Sequence, residues 1–290
     1  MSTELIKELR EKTGAGMLDC KKALAESNGD IQTAIDWLRE KGISKAAKKS
    51  ERIAAEGTAM IMTEENKAII IEVNSETDFV AKNQEFVDLV SQIAEAILNK
   101  PVASVEEALN LETEAGTIDE LIVAKTAKIG EKLNLRRFQI VEKEANQFFG
   151  SYLHMGGKIA VLTVITNGSE EIAKNIAMHT AAMRPSYICR TEVKETEINK
   201  EKEILKEQAI SEGKPAEIAE KMVDGRLQKY FKEICLEEQP YVKDPDITVK
   251  DYAKQNGVTI DKMIRFEVGE GMEKREENFA EEVMGQIKKD

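Results

Sequence analysis

The segment Thr77-Asp78-Phe79-Val80-Ala81-Lys82-Asn83 sets a carboxylate and a bulky ring between a strand-like stretch and a helix-like one. Two readings follow from the residue types. In one, Thr77 or Asp78 caps a helical turn and Phe79 folds back onto the core as a hydrophobic staple. In the other, Phe79 points outward. Leaving a Phe in water forfeits about 1.5–3 kcal/mol of burial, recovered only when a partner encloses the ring. An outward ring of this kind marks an interface.

Groupings that could make or break bonds are scarce. His154 and His179 fall on separate expected elements, with no motif cysteine or serine nearby. His179, beside Met178 on a helix, reads as packed or surface-lying. His154 stands at a strand end next to Gly156-Gly157, where a partner could meet it. Cys20, Cys189 and Cys235 lie far apart without a CxxC pair, so reduced buried thiols are expected rather than a disulfide framework or a zinc knuckle. A Walker-type phosphate loop would need glycine five residues before Gly157-Lys158, and Tyr152 stands there. GxSxG, HExxH and kinase-type signatures are absent as well. The expectation is a protein that is not an enzyme and carries no cofactor and no metal. The rival is a cysteine–histidine enzyme, which would require a thiol of depressed pKa beside an imidazole.

The elements that must position these residues are bounded by composition. A chain of 290 residues exceeds the usual span of one hydrophobic core, so several modules are expected. The net charge of -12 repels phosphate backbones, which argues against DNA or RNA and for a protein partner. Residues 1–55 carry 11 basic and 9 acidic side chains, net +2, which leaves -14 on the rest. Within them Lys41, Lys45, Lys48, Lys49 and Arg52 read as a solvated basic linker, with contact to an acidic partner surface as the alternative. The first twelve residues are charged every few positions and lack the apolar run of a signal peptide. The apolar stretches at 68–71 and 159–165 are too short to span a membrane. A cytoplasmic protein without a membrane partner is expected.

Hydrophobic spacing gives an α+β fold class. Three short helices carry Leu5 and Leu9, then Leu18 and Leu24, then Ile31, Ala34, Ile35 and Leu38. Asn28-Gly29 supplies a left-handed stop, Asp30 an N-cap, and Gly42 is expected to close the third helix. Met17 stands outward after the Gly14-to-Gly16 turn. This bundle of the ubiquitin-associated type, with its basic linker, occupies 1–55. Residues 56–144 read as a hairpin with strands at 58–63 and 67–74, a helix from about Asn83, a helix over 118–129 and a strand over 135–141. The order returns in 145–190 and 237–269, with strands at 148–154 and 158–165 around a tight Gly-Gly turn, a helix over 169–183 and a closing strand at 263–268. There Ile264-Arg265-Phe266 echoes Arg136-Arg137-Phe138. Two related hairpin-helix-strand subdomains are inferred. An antiparallel helical hairpin is inserted at 191–236, with Ile198, Leu205, Ala209, Ile218, Met222 and Tyr230 along its seam. A C-terminal helical module at 270–290 carries Phe279, Val283 and Ile287.

Six segments resemble the translation elongation factor Ts family: TGAGMLDCKKAL at 13–24, TDFVAKN at 77–83, HMGGKIAVL at 154–162, KPAEIAEKMVDGR at 214–226, EEQPYVKDP at 237–245 and RFEVGEG at 265–271. The resemblance runs along essentially the whole chain and favours an outward Phe79. It implies a guanine nucleotide exchange factor that binds elongation factor Tu, promotes GDP release by disturbing the magnesium and phosphate site of that GTPase, and allows GTP to rebind. It further implies that Asp78 and Phe79 insert beside the nucleotide, flanked by Thr77 and Val80. His154 would be a second intrusion, Met17, Leu18 and Val242 would hold a helix of the GTPase, and the helical hairpin would be a dimerisation arm. The chain itself would bind no nucleotide. Gly156-Gly157 departs from the Gly-Ala of some members. A binding adaptor built on the N-terminal bundle is the other rival reading.

Overall fold

Apolar residues at three- and four-residue spacing fold the start of the computed structural model, which describes residues 3–13 and 15–273, into three helices. These are α1 (Thr3–Thr13), α2 (Met17–Glu26) and α3 (Ile31–Ala47), packed around buried Leu9, Cys20, Ala23, Leu24 and Ala34. Asn28 and Gly29 take left-handed backbone, and the Asp30 carboxylate accepts the Thr33 N–H at 2.7 Å to cap α3.

Two expectations fail in this bundle. Leu18 is exposed, because it stands two positions before Cys20, a step that turns it about 200° away from the buried stripe. Gly42 does not close α3, which runs on to Ala47. Gly42 is buried where α3 packs on a later helix, and burial overrides the cost of a mid-helix glycine.

A three-stranded sheet in the order β1-β2-β5 follows. Strand β1 is Glu56–Glu64 and β2 is Lys67–Ser75, the latter buried on both faces over Ala68 to Ser75. The four-residue α4 (Asp78–Ala81) precedes α5 (Gln84–Asn99), whose Phe86, Leu89, Val90, Ile93, Ala94 and Ile97 form a fully buried stripe. Then come α6 (Val105–Leu109), the two-residue strands β3 (Glu112–Thr113) and β4 (Gly116–Thr117), α7 (Ile118–Ile129) and β5 (Asn134–Glu142). A reciprocal Thr117–Glu120 capping box opens α7, and Gly130 ends it in left-handed backbone.

The second three-stranded sheet runs β10-β7-β6. It comprises β6 (Gln147–His154), antiparallel β7 (Ile159–Thr166) and β10 (Thr259–Glu267), with α8 (Glu170–Met183) packed on β6 and β7. Gly150 lets α8 approach: a Cβ there would meet the Ala173 carbonyl carbon and oxygen at 2.2 Å and Thr163 Oγ1 at 2.5 Å.

The inserted hairpin consists of α9 (Glu195–Ser211) and α10 (Ala216–Ile234). Its seam is Leu205 and Ala209 against Ala219, Val223, Leu227 and Phe231, the last four in steps of four. Ile218, expected in the seam, is exposed one position off that stripe, while Met222 and Tyr230 are half-buried. The short pair β8 (Pro240–Tyr241) and β9 (Asp244–Thr248) and the helix α11 (Val249–Gln255) complete the described elements.

The chain is thus α+β, with eleven α-helices and small antiparallel sheets among the described residues. No described helix is long and apolar enough to cross a membrane. By compactness it divides into two units, one of residues 3–60, 71–138 and 267–273, the other of 61–70 and 139–266. The helix expected around Phe279, Val283 and Ile287 lies outside the described residues.

Candidate functional site

The junction after β2 is built on carboxylate acceptors. Thr77 caps α4, its Oγ1 accepting the Val80 N–H at 3.4 Å. Glu131, on the turn after α7, accepts the Glu76 and Thr77 N–H groups on Oε2 at 3.1 and 3.0 Å, and the Thr77 hydroxyl on Oε1 at 2.7 Å. The favour is returned: Glu76 Oε1 accepts the Lys132 N–H at 2.6 Å, and the Arg52 guanidinium approaches the same carboxylate at 3.3 Å. Hydrogen bonds to an ionised acceptor are roughly twice as strong as neutral ones, so both ends of this junction are firmly held.

What is held is an unburied ring. Phe79 is 83% exposed, whereas Ala81 on the same turn is buried with its carbonyl accepting the Thr58 hydroxyl at 3.0 Å. The staple reading is therefore not the one the fold adopts. Asp78, half-buried, pairs with Lys82 Nζ at 2.7 Å one turn on. Such a solvent-facing pair is worth about 0–1 kcal/mol and is easily exchanged for another cation.

The tip of the β6–β7 hairpin gathers a second group. Its turn holds four residues rather than two, since His154 pairs with Ile159, and Met155, Gly156 and Gly157 all have positive φ. His154 is exposed, with its ring stacked against Tyr152 at 6.1 Å and its Nδ1 3.4 Å from the tyrosine hydroxyl. Met155, 70% exposed, and Leu153 stand beside it; reading the sequence overlooked both, although apolar residues around a Gly-Gly turn are the available signal.

Val242 lies between β8 and β9 and is 41% exposed. Its N–H donates to Nδ1 of His179 at 3.1 Å, while Nε2 of that ring donates to Gln239 Oε1 at 2.9 Å. Gln239 is buried and donates to the Glu233 carbonyl at 2.6 Å, leaving no slack. His179 is fully buried, and burial lowers its pKa below the ordinary imidazole value, only partly opposed by the Gln239 bond. Met17 and Leu18, 59% and 75% exposed, form the first turn of α2 after Gly16.

Two of the three thiols, those of Cys20 and Cys235, are unsuited to nucleophilic work. Burial raises the pKa of Cys20, and pushes that of Cys235 up to about 11, the reverse of what an activated thiol needs. Among the described residues no group of three or more His, Cys, Asp or Glu is placed to hold a metal ion. These residues present exposed side chains on hydrogen-bonded turns.

The family described as Elongation factor TS matches residues 76–270. The span takes in Thr77 to Val80, His154, the α9–α10 hairpin and Val242, and leaves Met17 and Leu18 outside it.

Proposed function

The chain belongs to the elongation factor Ts family, the nucleotide exchange factors of elongation factor Tu in translation elongation, and from that premise we propose that it releases GDP by inserting Asp78 and Phe79 beside the nucleotide site of that GTPase. The observation that carries this reading is the exposed Phe79 ring on a turn anchored from beneath. A partner that encloses the ring recovers the burial the isolated fold forgoes.

Thr77 and Val80 flank the insertion. Magnesium joins phosphate oxygens to the GTPase, so disturbing its ligands loosens the nucleotide without any base or nucleophile from this chain. His154 is a second intrusion into the GTPase domain, and Met17, Leu18 and Val242 grip one of its helices. No covalent bond changes. The factor binds the nucleotide-free partner more tightly than the loaded one, and reciprocity requires that incoming nucleotide weaken the factor's grip in turn. A thousandfold acceleration corresponds to about 4 kcal/mol off the barrier. One enclosed aromatic side chain together with a lost metal contact supplies that order of energy.

The same reading extends to the modules. Residues 1–55 are a ubiquitin-associated-type bundle and linker. Residues 56–144 and 145–190 with 237–269 are related core subdomains, 191–236 are a dimerisation arm, and 270–290 are a C-terminal module. The setting is the cytoplasm, with no nucleotide, nucleic acid or membrane bound by this chain.

The test is GDP release from purified elongation factor Tu, followed with a fluorescent GDP analogue, with and without the chain. Acceleration in proportion to added chain is expected; unchanged release refutes the proposal.

A further inference from the structure

A side chain that must push into another molecule has to be aimed, and an exposed ring cannot aim itself by packing. Phe79 has almost no burial of its own, and α4 is one turn long, too short to be a stable helix by itself. The orientation of the Asp78–Phe79 pair must come from whatever fixes the backbone on either side.

On the far side, the Ala81 carbonyl is tied to Thr58 and Asn83 caps α5 through the Glu85 N–H. On the near side, two consecutive backbone N–H groups and the capping hydroxyl of Thr77 all converge on one carboxylate, that of Glu131. Thr77 Oγ1 then passes the constraint to α4 by accepting the Val80 N–H. We propose that Glu131 is the positioning residue of the Asp78–Phe79 projection, acting through the backbone of Glu76 and Thr77 and touching no partner itself. The inference rests on the reading of α4 as the exchange-promoting projection.

The chemistry makes a specific demand of position 131. Three donors need two acceptor oxygens at a fixed reach. Glutamine still offers Oε1 to the two N–H groups, and its amide can donate to the Thr77 hydroxyl, so it should serve. Aspartate keeps the charge but withdraws by one methylene. Alanine leaves all three donors unanswered.

The experiment measures release of a fluorescent GDP analogue from purified elongation factor Tu across a range of factor concentrations. It uses full-length wild type, Glu131→Ala, Glu131→Asp, Glu131→Gln, the double variant Asp78→Ala/Phe79→Ala, and that double variant with Glu131→Ala added. Glu131→Ala should lower the maximal release rate about tenfold with a smaller change in the half-saturating concentration. Glu131→Asp should fall between, and Glu131→Gln should recover most of the rate. In the double-variant background, Glu131→Ala should cost no further activity, because the groups it aims are gone. Should the alanine protein fail to fold by circular dichroism, the Asp and Gln variants carry the same comparison in both backgrounds. A Glu131→Ala or Glu131→Asp protein as active as wild type overturns the inference. So does a loss that persists in full in the double variant. A wild-type chain that fails to accelerate release overturns the functional reading instead, and the inference falls with it.

Discussion

Nδ1 of the buried His179 accepts the backbone N–H of Val242 at 3.1 Å. The bond needs a neutral ring, and burial lowers the imidazole pKa below its ordinary value. The unfolded chain therefore binds more protons than the folded one once pH falls below about 6.5. Stability attributable to this ring is present above that pH and declines on acidification, until pH passes below the folded-state pKa. Urea unfolding of wild type should show this decline between pH 7.5 and 5.5. A His179→Gln variant should be less stable at pH 7.5 and lack that part of the decline; an identical pH dependence in both would contradict the assignment.

Phe79 separates function from folding. With 83% of the residue already in water, Phe79→Ala should change unfolding free energy by less than about 0.5 kcal/mol. Under the proposed function the same change removes an enclosed aromatic anchor, costing about 2 kcal/mol, or roughly thirtyfold, in stimulated GDP release. Thermal unfolding and exchange kinetics on one preparation check both halves.

Glu72 is fully buried in β2 and answered from several sides. Arg136 reaches Oε1 at 2.8 Å, Arg137 Nε reaches Oε2 at 2.6 Å, and the Gly269 N–H donates to Oε1 at 2.9 Å. Removing the carboxylate takes the acceptor from Arg136 Nη1, Arg137 Nε and the Gly269 N–H at once, although Arg137 keeps its ion pair with Glu270 at 3.4 Å. Glu72→Ala should cost about 3–5 kcal/mol by denaturant titration, far more than Glu131→Gln at the surface junction.

Gly150 is a packing constraint of a different kind. A methyl group there would overlap the Ala173 backbone and the Thr163 hydroxyl, which itself donates to the Ala173 carbonyl at 2.9 Å. The Ala173 backbone cannot retreat without moving α8, and the Thr163 hydroxyl cannot without giving up its bond to the Ala173 carbonyl. Gly150→Ala should destabilise by about 1–3 kcal/mol, despite the better strand propensity of alanine, and a stable variant would show that α8 can shift.

Thiol chemistry provides an independent check on the non-enzymatic reading. Cys20 and Cys235 are buried and Cys189 is partly exposed. A thiol reagent should modify one cysteine promptly and the other two only as the chain unfolds. Replacing all three should leave nucleotide exchange intact.

Much of this was written locally. Hydrophobic spacing marked the helices, Asp30 announced its cap, and the run from Thr77 to Asn83 announced an unusual junction, because each depends on residues within a turn or two of one another. The orientation of side chains with respect to the core was less legible. Leu18 and Ile218 matched a helical pattern yet lie off the buried stripe, and Gly42 read as a stop yet lies inside a helix. For Gly42 the decision belonged to α7, a partner element distant in sequence. The same holds for the junction itself. Nothing near Phe79 names Glu131, 54 residues on from Thr77, and nothing near Val242 names His179. A sequence specifies which local turns are cheap, but only the closed chain brings together the acceptors that hold an exposed ring or a surface turn in one place.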